Sequence, residues 1–262
     1  MSRRIRWLLG MAAGLTAAAV GLIATPLDRG LDTVAAGAQS RALDTQGLTF
    51  AGTPAVGALF TTSGGGLGRH FCSASVVDSP GRDLLITAAH CVTGVSSGSI
   101  VFVPGYVNGR IPYGIWRVTR VIVGRNWIAT ADPADDVAFL LVAAQGGAEI
   151  QDVTGGERLG VGQGVGQVAT VIGYPESAGA PLRCANLVRG FSPTQLQFDC
   201  GGYTNGTSGG PMLEDTNPAT GLGTVIGVIG GYEQGGYTAS VSYAARFGAF
   251  VADLYKTAIG QS

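Results

Sequence analysis

From Thr53 onward the chain breaks into short apolar runs separated by Gly, Pro, Asn and Ser. Residues 56–61, 71–77, 84–87, 100–103, 113–123 and 137–142 form one set, and residues 158–161, 167–174, 182–190, 195–199, 211–213, 223–230 and 237–241 a second. Short runs bounded by turn residues predict strands of an all-β sandwich or barrel. A loop over residues 145–156 joins the two sets. Over residues 243–259 the period changes. Phe247, Phe250, Val251, Leu254 and Ile259 recur at helical spacing with Asp253 and Lys256 between them, which predicts a closing amphipathic helix.

The start of the chain follows a different pattern. Arg3, Arg4 and Arg6 precede an apolar run over residues 7–24 that is rich in Ala and Gly. A basic start followed by a moderately apolar run predicts an export signal over residues 1–38, with Ala36-Gly37-Ala38 or Ala24 as the cleavage site. An uncleaved anchor is the alternative. Residues 39–52 are small and polar and predict a short pro-segment or a loose N-terminus. The full chain of 262 residues has a formal net charge of −1, with 46% hydrophobic and 13% charged residues. No basic patch points to nucleic acid and no acidic block points to disorder.

Four cysteines, Cys72, Cys91, Cys184 and Cys200, allow three pairings. With an export signal they predict two disulfides, paired by closeness in sequence: Cys72 with Cys91 and Cys184 with Cys200. Each closes a short loop, for roughly 3 kcal/mol in the chain-entropy account. A zinc site is the rival reading, but no CxxC spacing exists.

The candidate chemistry begins at Ser208, which stands between glycines in Gly206-Thr207-Ser208-Gly209-Gly210-Pro211. A serine hydroxyl needs a base to become a nucleophile, and the oxyanion it creates needs donors already in place. The N–H groups of Gly206 and Ser208 are the candidate donors. Of the two histidines, His90 follows the apolar run 84–87 and small residues, which predicts an imidazole held at a strand end. Asp136 opens the apolar run 137–142, and a carboxylate there needs a hydrogen bond that His90 supplies. Asp132 and Asp135 compete with it; Asp135 is expected to be solvated.

The order His90, Asp136, Ser208 is that of the chymotrypsin family. The residues 70–77, the motif Thr87-Ala88-Ala89-His90-Cys91 and the serine motif resemble that family in order, nearest to its compact secreted bacterial branch, which includes glutamyl endopeptidases. The resemblance implies two packed six-stranded barrels over about 53–144 and 157–242, within a peptidase domain spanning 53–262. It implies a serine endopeptidase that acts as a monomer on protein or peptide substrates and needs no metal or organic cofactor. His70, just before Phe71-Cys72, corresponds to a structural histidine of the family. Thr207 replaces the aspartate that pairs with a new N-terminus in the digestive branch, so that mode of activation is not expected.

By the same resemblance the substrate pocket comprises Gly202, Tyr203, Ile229, Gly230, Gly231, Tyr232 and Gly235. Gly202 stands where trypsin-like enzymes carry the aspartate that receives Arg or Lys, and Ile229 where glutamyl endopeptidases carry a histidine. Tyr203 is expected to narrow the pocket, Glu233 to lie at its rim, and Arg183 and Arg189 are the cations able to fold over it. An uncharged, apolar residue before the scissile bond is therefore expected. A catalytically silent binding or adhesion module on the same fold, or an esterase, is the rival function; the complete set of His90, Asp136, Ser208 and the flanking glycines favours the peptidase.

Overall fold

The strands follow the apolar runs closely, because each run is just long enough to cross a small barrel. The computed structural model describes residues 43–63 and 65–262. The expected export signal over residues 1–38, its cleavage sites and residues 39–42 lie outside the described residues. Among the described residues no helix is long and apolar enough to cross a membrane.

The first set of runs forms β2 (Val56–Ser63), β3 (Gly66–Val76), β4 (Leu84–Thr87), β5 (Ile100–Pro104), β6 (Trp116–Val123) and β7 (Ala138–Val142), after a two-residue β1 (Leu48–Thr49). β2 to β7 pair antiparallel and close into a barrel in the order β2-β3-β4-β7-β6-β5. Its interior is filled by Leu59, Leu85, Phe102, Trp116 and Phe139, all essentially without exposure.

The second set forms β8 (Arg158–Leu159), β9 (Val168–Gly173), β10 (Leu182–Ser192), β11 (Gln195–Asp199), β12 (Pro211–Glu214), β13 (Thr224–Val228) and β14 (Val241–Ala245). The strand order is β14-β11-β10-β9-β12-β13-β8, with β8 parallel to β13 and the rest antiparallel. β9 to β14 are six strands curled around Val171, Val188, Phe198, Met212, Ile226 and Ala244. Their ladder is open between β13 and β14, where one bond from Gly230 N–H to Tyr243 O (2.9 Å) bridges the seam. The molecule is thus a closed barrel and a second, nearly closed one, the chymotrypsin-like double-barrel fold.

Among the described residues four α-helices accompany the strands: α1 (Ala89–Val92), α2 (Arg125–Thr130), α3 (Ile150–Thr154) in the inter-barrel link, and the closing α4 (Ala249–Ile259). Two expectations need correction near the C-terminus. The last strand is not 237–241: Gly235 and Gly236 take φ of 107° and 116° in a loop that leaves Tyr237 84% exposed. The strand starts at Val241, and its residues Tyr243–Ala245 pair with Gln195–Gln197. The helix therefore begins at Ala249, not at 243, and buries Val251, Leu254 and Ala258.

The expectation of a loose N-terminus is also corrected for residues 43–50. β1 pairs with β10, placing Leu48 opposite Arg183. Asp44 accepts from Ala185 N–H (2.9 Å) through its carboxylate, while Gly47 N–H donates to Gly201 O (2.8 Å). This segment is a strap across the second barrel. Its backbone polar groups find partners that its polar, aperiodic sequence does not advertise.

Candidate active site

β4, four buried residues long, runs directly into α1 and so fixes His90 at the barrel rim. The disulfide between Cys72 and Cys91 ties that turn back to β3, and the second joins Cys184 to Cys200. Asp136 follows a single 3₁₀ turn, Pro133–Asp135, whose start is capped by Asp132 accepting from Ala134 N–H (2.9 Å). Asp136 is wholly buried, and every hydrogen bond it makes is to a donor. Its Oδ1 accepts from His90 N–H (2.8 Å). Its Oδ2 accepts from His90 Nδ1 (2.7 Å) and from Gly231 N–H (2.8 Å). A carboxylate so surrounded keeps the His90 proton on Nδ1 and leaves Nε2 as the free base. Asp135 is not the solvated neighbour expected: it is buried, and that burial pushes its carboxyl above the ordinary range against a bond from Asn126.

The serine loop is held from three sides. Ser73 N–H donates to Ser208 O (2.7 Å), Gly209 N–H donates to Ile229 O (2.7 Å), and Thr207 N–H turns back to Thr204 O (3.1 Å). Gly206 and Gly209 have φ of 93° and 79°. A Cβ on Gly206 would strike Glu176 N and Tyr174 O, and one on Gly209 would strike Thr87 and Ser73 O. Gly209 thereby packs on β3 at Ser73 and on Thr87 and Ala88, which lead to His90. Among the described residues neither Gly206 N–H nor Ser208 N–H donates a hydrogen bond to protein, so both remain free. No hydrogen bond joins Ser208 Oγ to His90 Nε2 among them either; Nε2 lies 3.8 Å from Cys91 Sγ. Cys72 and Cys91 both lie close to this imidazole, but their sulfurs are joined to each other and offer no thiolate to a metal.

Ser73 is a residue the sequence reading passed over. It is fully buried, accepts Tyr174 N–H (2.8 Å) and donates to Gly206 O (2.9 Å) through one hydroxyl, and receives Thr87 Oγ1 on its carbonyl (2.8 Å). Its only signal in the sequence was a hydroxyl next to Cys72 in the run 71–77. Thr207 is buried, with its hydroxyl on Thr204 O (2.7 Å), and offers no charge to a distant amine. His70 is buried at the barrel interface, its Nε2 on Pro175 O (2.9 Å) and its ring against Phe60.

Beside Ser208 lies a cleft of about 460 Å³. Tyr203, Ile229 and Gly235 line it. Gly202, Gly230, Gly231 and Tyr232 do not. Gly202 rests on Leu182, Gly230 packs on the Asp136 carboxylate, and Tyr232 leans on Phe191 and Tyr243 at the surface. Tyr203 forms wall: its hydroxyl points away to Val171 O (2.7 Å), and burial pushes its phenol up. Glu233 is not among the lining residues; it adjoins Gln234, which is, and Gln234 holds a φ of 52°. The lining is less apolar than expected, because Thr204, Asn205, Gln234, Thr238 and Ser242 supply polar uncharged groups that motif matching did not locate. Arg183 lies over the Phe50 ring and Arg189 reaches Asp199 (3.6 Å), so neither borders the cleft. The two charged residues that do, Arg69 and Glu176, neutralise each other at 2.6 Å.

The fold has known counterparts. The chain is similar in structure to the protease Anisep from Arthrobacter nicotinovorans, with a TM-score of 0.69 and 24% identity over 82% of this chain and 99% of that one. It is similar to the thermostable serine protease AL20 from an extremophilic microorganism, with a TM-score of 0.68 and 24% identity over 80% of this chain and 99% of that one. A Glu endopeptidase also matches, with a TM-score of 0.65 and 17% identity over 83% and 98% of the two chains. No curated protein matches the sequence. The family model of the trypsin-like peptidase domain matches residues 72–228, which is more than half of the chain and takes in His90, Asp136 and Ser208. The protein therefore belongs to the trypsin-like peptidase family and is a serine-type endopeptidase.

Proposed function

We propose that the protein is a secreted endopeptidase in which Ser208, His90 and Asp136 carry the reaction. The observation that supports this most is the pairing of His90 Nδ1 with the buried Asp136 carboxylate beside two unspent N–H groups at Ser208. His90 Nε2 takes the Ser208 hydroxyl proton as Oγ bonds to the peptide carbonyl carbon. The N–H groups of Gly206 and Ser208 receive the oxyanion. The same proton passes to the leaving amine as the C–N bond breaks, and an ester on Ser208 remains. Water then attacks that ester with His90 again as base, which restores the serine. Catalytic hydrogen bonds are commonly loose before substrate binds, so Ser208 Oγ and His90 Nε2 need only close when the cleft is filled.

An uncharged residue before the scissile bond fits the cleft, since a charged side chain there would lose water without meeting an opposite charge. Export through the signal over residues 1–38 fits the two disulfides, which persist in oxidising surroundings. The domain over 53–262 then acts as a monomer on peptide or protein substrates. The test is Ser208→Ala: the purified variant should fold as the parent does and hydrolyse neither casein nor ester substrates. Hydrolysis at the parent rate refutes the assignment.

A further inference from the structure

Ser242 is 1% exposed, lies in β14 beside Val241 and Tyr243, and still borders the cleft next to Ser208. Among the described residues its hydroxyl has no hydrogen-bond partner. The next residue on the same face, Ala244, is part of the second core, so the hydroxyl stands where the apolar interior meets the cleft. Tyr203 and Ile229, both nearly buried, are its neighbours along the lining, and the Tyr203 hydroxyl is already committed to Val171 O. Ser242 is thus a nearly buried residue at the cleft wall, with a hydroxyl left for whatever fills the cleft.

We propose that Ser242 selects a substrate residue ending in a carboxamide, glutamine or asparagine, immediately before the scissile bond. This rests on the mechanism proposed above and names its substrate class. A hydroxyl both donates and accepts, as a carboxamide does, so the two satisfy each other without charge. A leucine or phenylalanine in the cleft would drive water from the Ser242 hydroxyl and give nothing back, and a site built to hydrogen-bond its substrate rejects analogues that lack the group. A glutamate has the shape of glutamine but brings a charge. Arg183 over Phe50 and Arg189 at Asp199 lie away from the cleft, and Arg69, which borders it, is already paired with Glu176. Among the described residues Glu176 is the one acid lining the cleft and it is paired, while Glu233 is bonded to the lining Tyr237 and is not itself on the wall, so an arginine or lysine finds no free carboxylate there. Thr204 and Thr238 add neutral donors and acceptors along the walls, which suits an amide and does not compensate a charge.

The experiment uses the purified, signal-free protein and a series of fluorogenic tetrapeptides that differ only in the residue before the cut: Gln, Asn, Glu, Leu, Phe and Arg. The expected result is a kcat/KM for Gln or Asn at least about tenfold above those of Leu, Phe, Glu and Arg, or ~1.4 kcal/mol of transition-state binding. Ser242→Ala should lower the rate on the favoured amide by about tenfold and raise that on Leu, since no hydroxyl is left to lose its water. Labelling of Ser208 by a fluorophosphonate at the parent rate verifies that this variant is folded. The wild-type series decides the matter even if the variant does not fold. Leu, Phe, Glu or Arg ahead of both amides overturns the inference, as does an unchanged Gln-to-Leu ratio in Ser242→Ala. If Ser208 is labelled while the amides are not preferred, the selectivity fails and the mechanism stands. If Ser208 is neither labelled nor active on any peptide, the mechanism fails and the selectivity with it.

Discussion

Replacing Ser73 by alanine removes one buried hydroxyl and strands two backbone groups. Tyr174 N–H loses its acceptor and Gly206 O loses its donor. A buried polar group left without a partner costs about 1–3 kcal/mol, so two of them should cost the variant roughly 2–6 kcal/mol of stability. The effect on rate follows from which peptide is released. The carbonyl held by Ser73 belongs to the peptide between Gly206 and Thr207, which separates the peptide carrying Gly206 N–H from the one carrying Ser208 N–H. If that middle plane rotates, both candidate oxyanion donors swing with it. Outright loss of one such donor costs about 10²–10³ in kcat, and loosening without loss should cost about 10–100-fold. The cleft wall is not touched, so KM should stay within about twofold. The assay is kcat and KM on one peptide ester, together with the affinity of a peptide boronate and of a product peptide. Boronate affinity should fall in step with kcat/KM and product affinity should not. A variant whose melting temperature drops while kcat stays within about twofold of the parent would refute the reasoning and leave Ser73 a purely structural residue.

Three further outcomes are expected. Asp136→Asn leaves one of three donors facing an amide NH₂ and favours the wrong imidazole tautomer; kcat should fall about 10⁴-fold, and a loss under tenfold would contradict the pairing seen here. Glu157 is fully buried with one carboxylate oxygen on Gly223 N–H and the other without a partner, and burial pushes its carboxyl up to about 8 against the bond from Gly223 and the nearby Arg158. With the folded value raised, its contribution to stability is complete below about pH 4.5 and is lost as pH rises to about 8, on the order of a few kcal/mol, so Glu157→Gln should gain on the parent across that window; melting curves that run parallel would contradict it. A protonated imidazole has no lone pair for the Ser208 proton, so activity on a neutral substrate should rise from acid to neutral pH and hold in mild alkali; a maximum near pH 4 in the folded enzyme would contradict His90 as base.

The first barrel was legible because its strands bury both ends of nearly continuous apolar runs: β4 coincides with residues 84–87, and β7 with all but the first residue of 137–142. The residues around His90, Asp136 and Ser208 were legible because each sits at a sharp change from apolar to small or polar. What the sequence hid is held by backbone bonds or by a single hydroxyl. The strap over residues 43–50 is fixed by main-chain bonds that leave no hydrophobic pattern. The loop over residues 235–240 imitates a strand by composition, yet two glycines at positive φ turn it outward. Ser73 reads as an ordinary strand residue, and Ser242 falls between the expected strand 237–241 and the expected helix from 243, until the fold shows which carbonyl or cleft each one faces. Gly230 and Gly231, assigned to the pocket by resemblance, also enclose Asp136, a role their sequence did not indicate.

The central claim is that Ser208 is a nucleophile activated by His90. Its most direct test is reaction of the purified protein with a fluorophosphonate, followed by peptide mass mapping of the parent and of His90→Ala. The prediction is a single phosphonylated residue, Ser208, in the parent, with labelling slowed by orders of magnitude in His90→Ala. A folded parent that hydrolyses peptides while Ser208 stays unmodified, or a His90→Ala variant that labels at the parent rate, would contradict it.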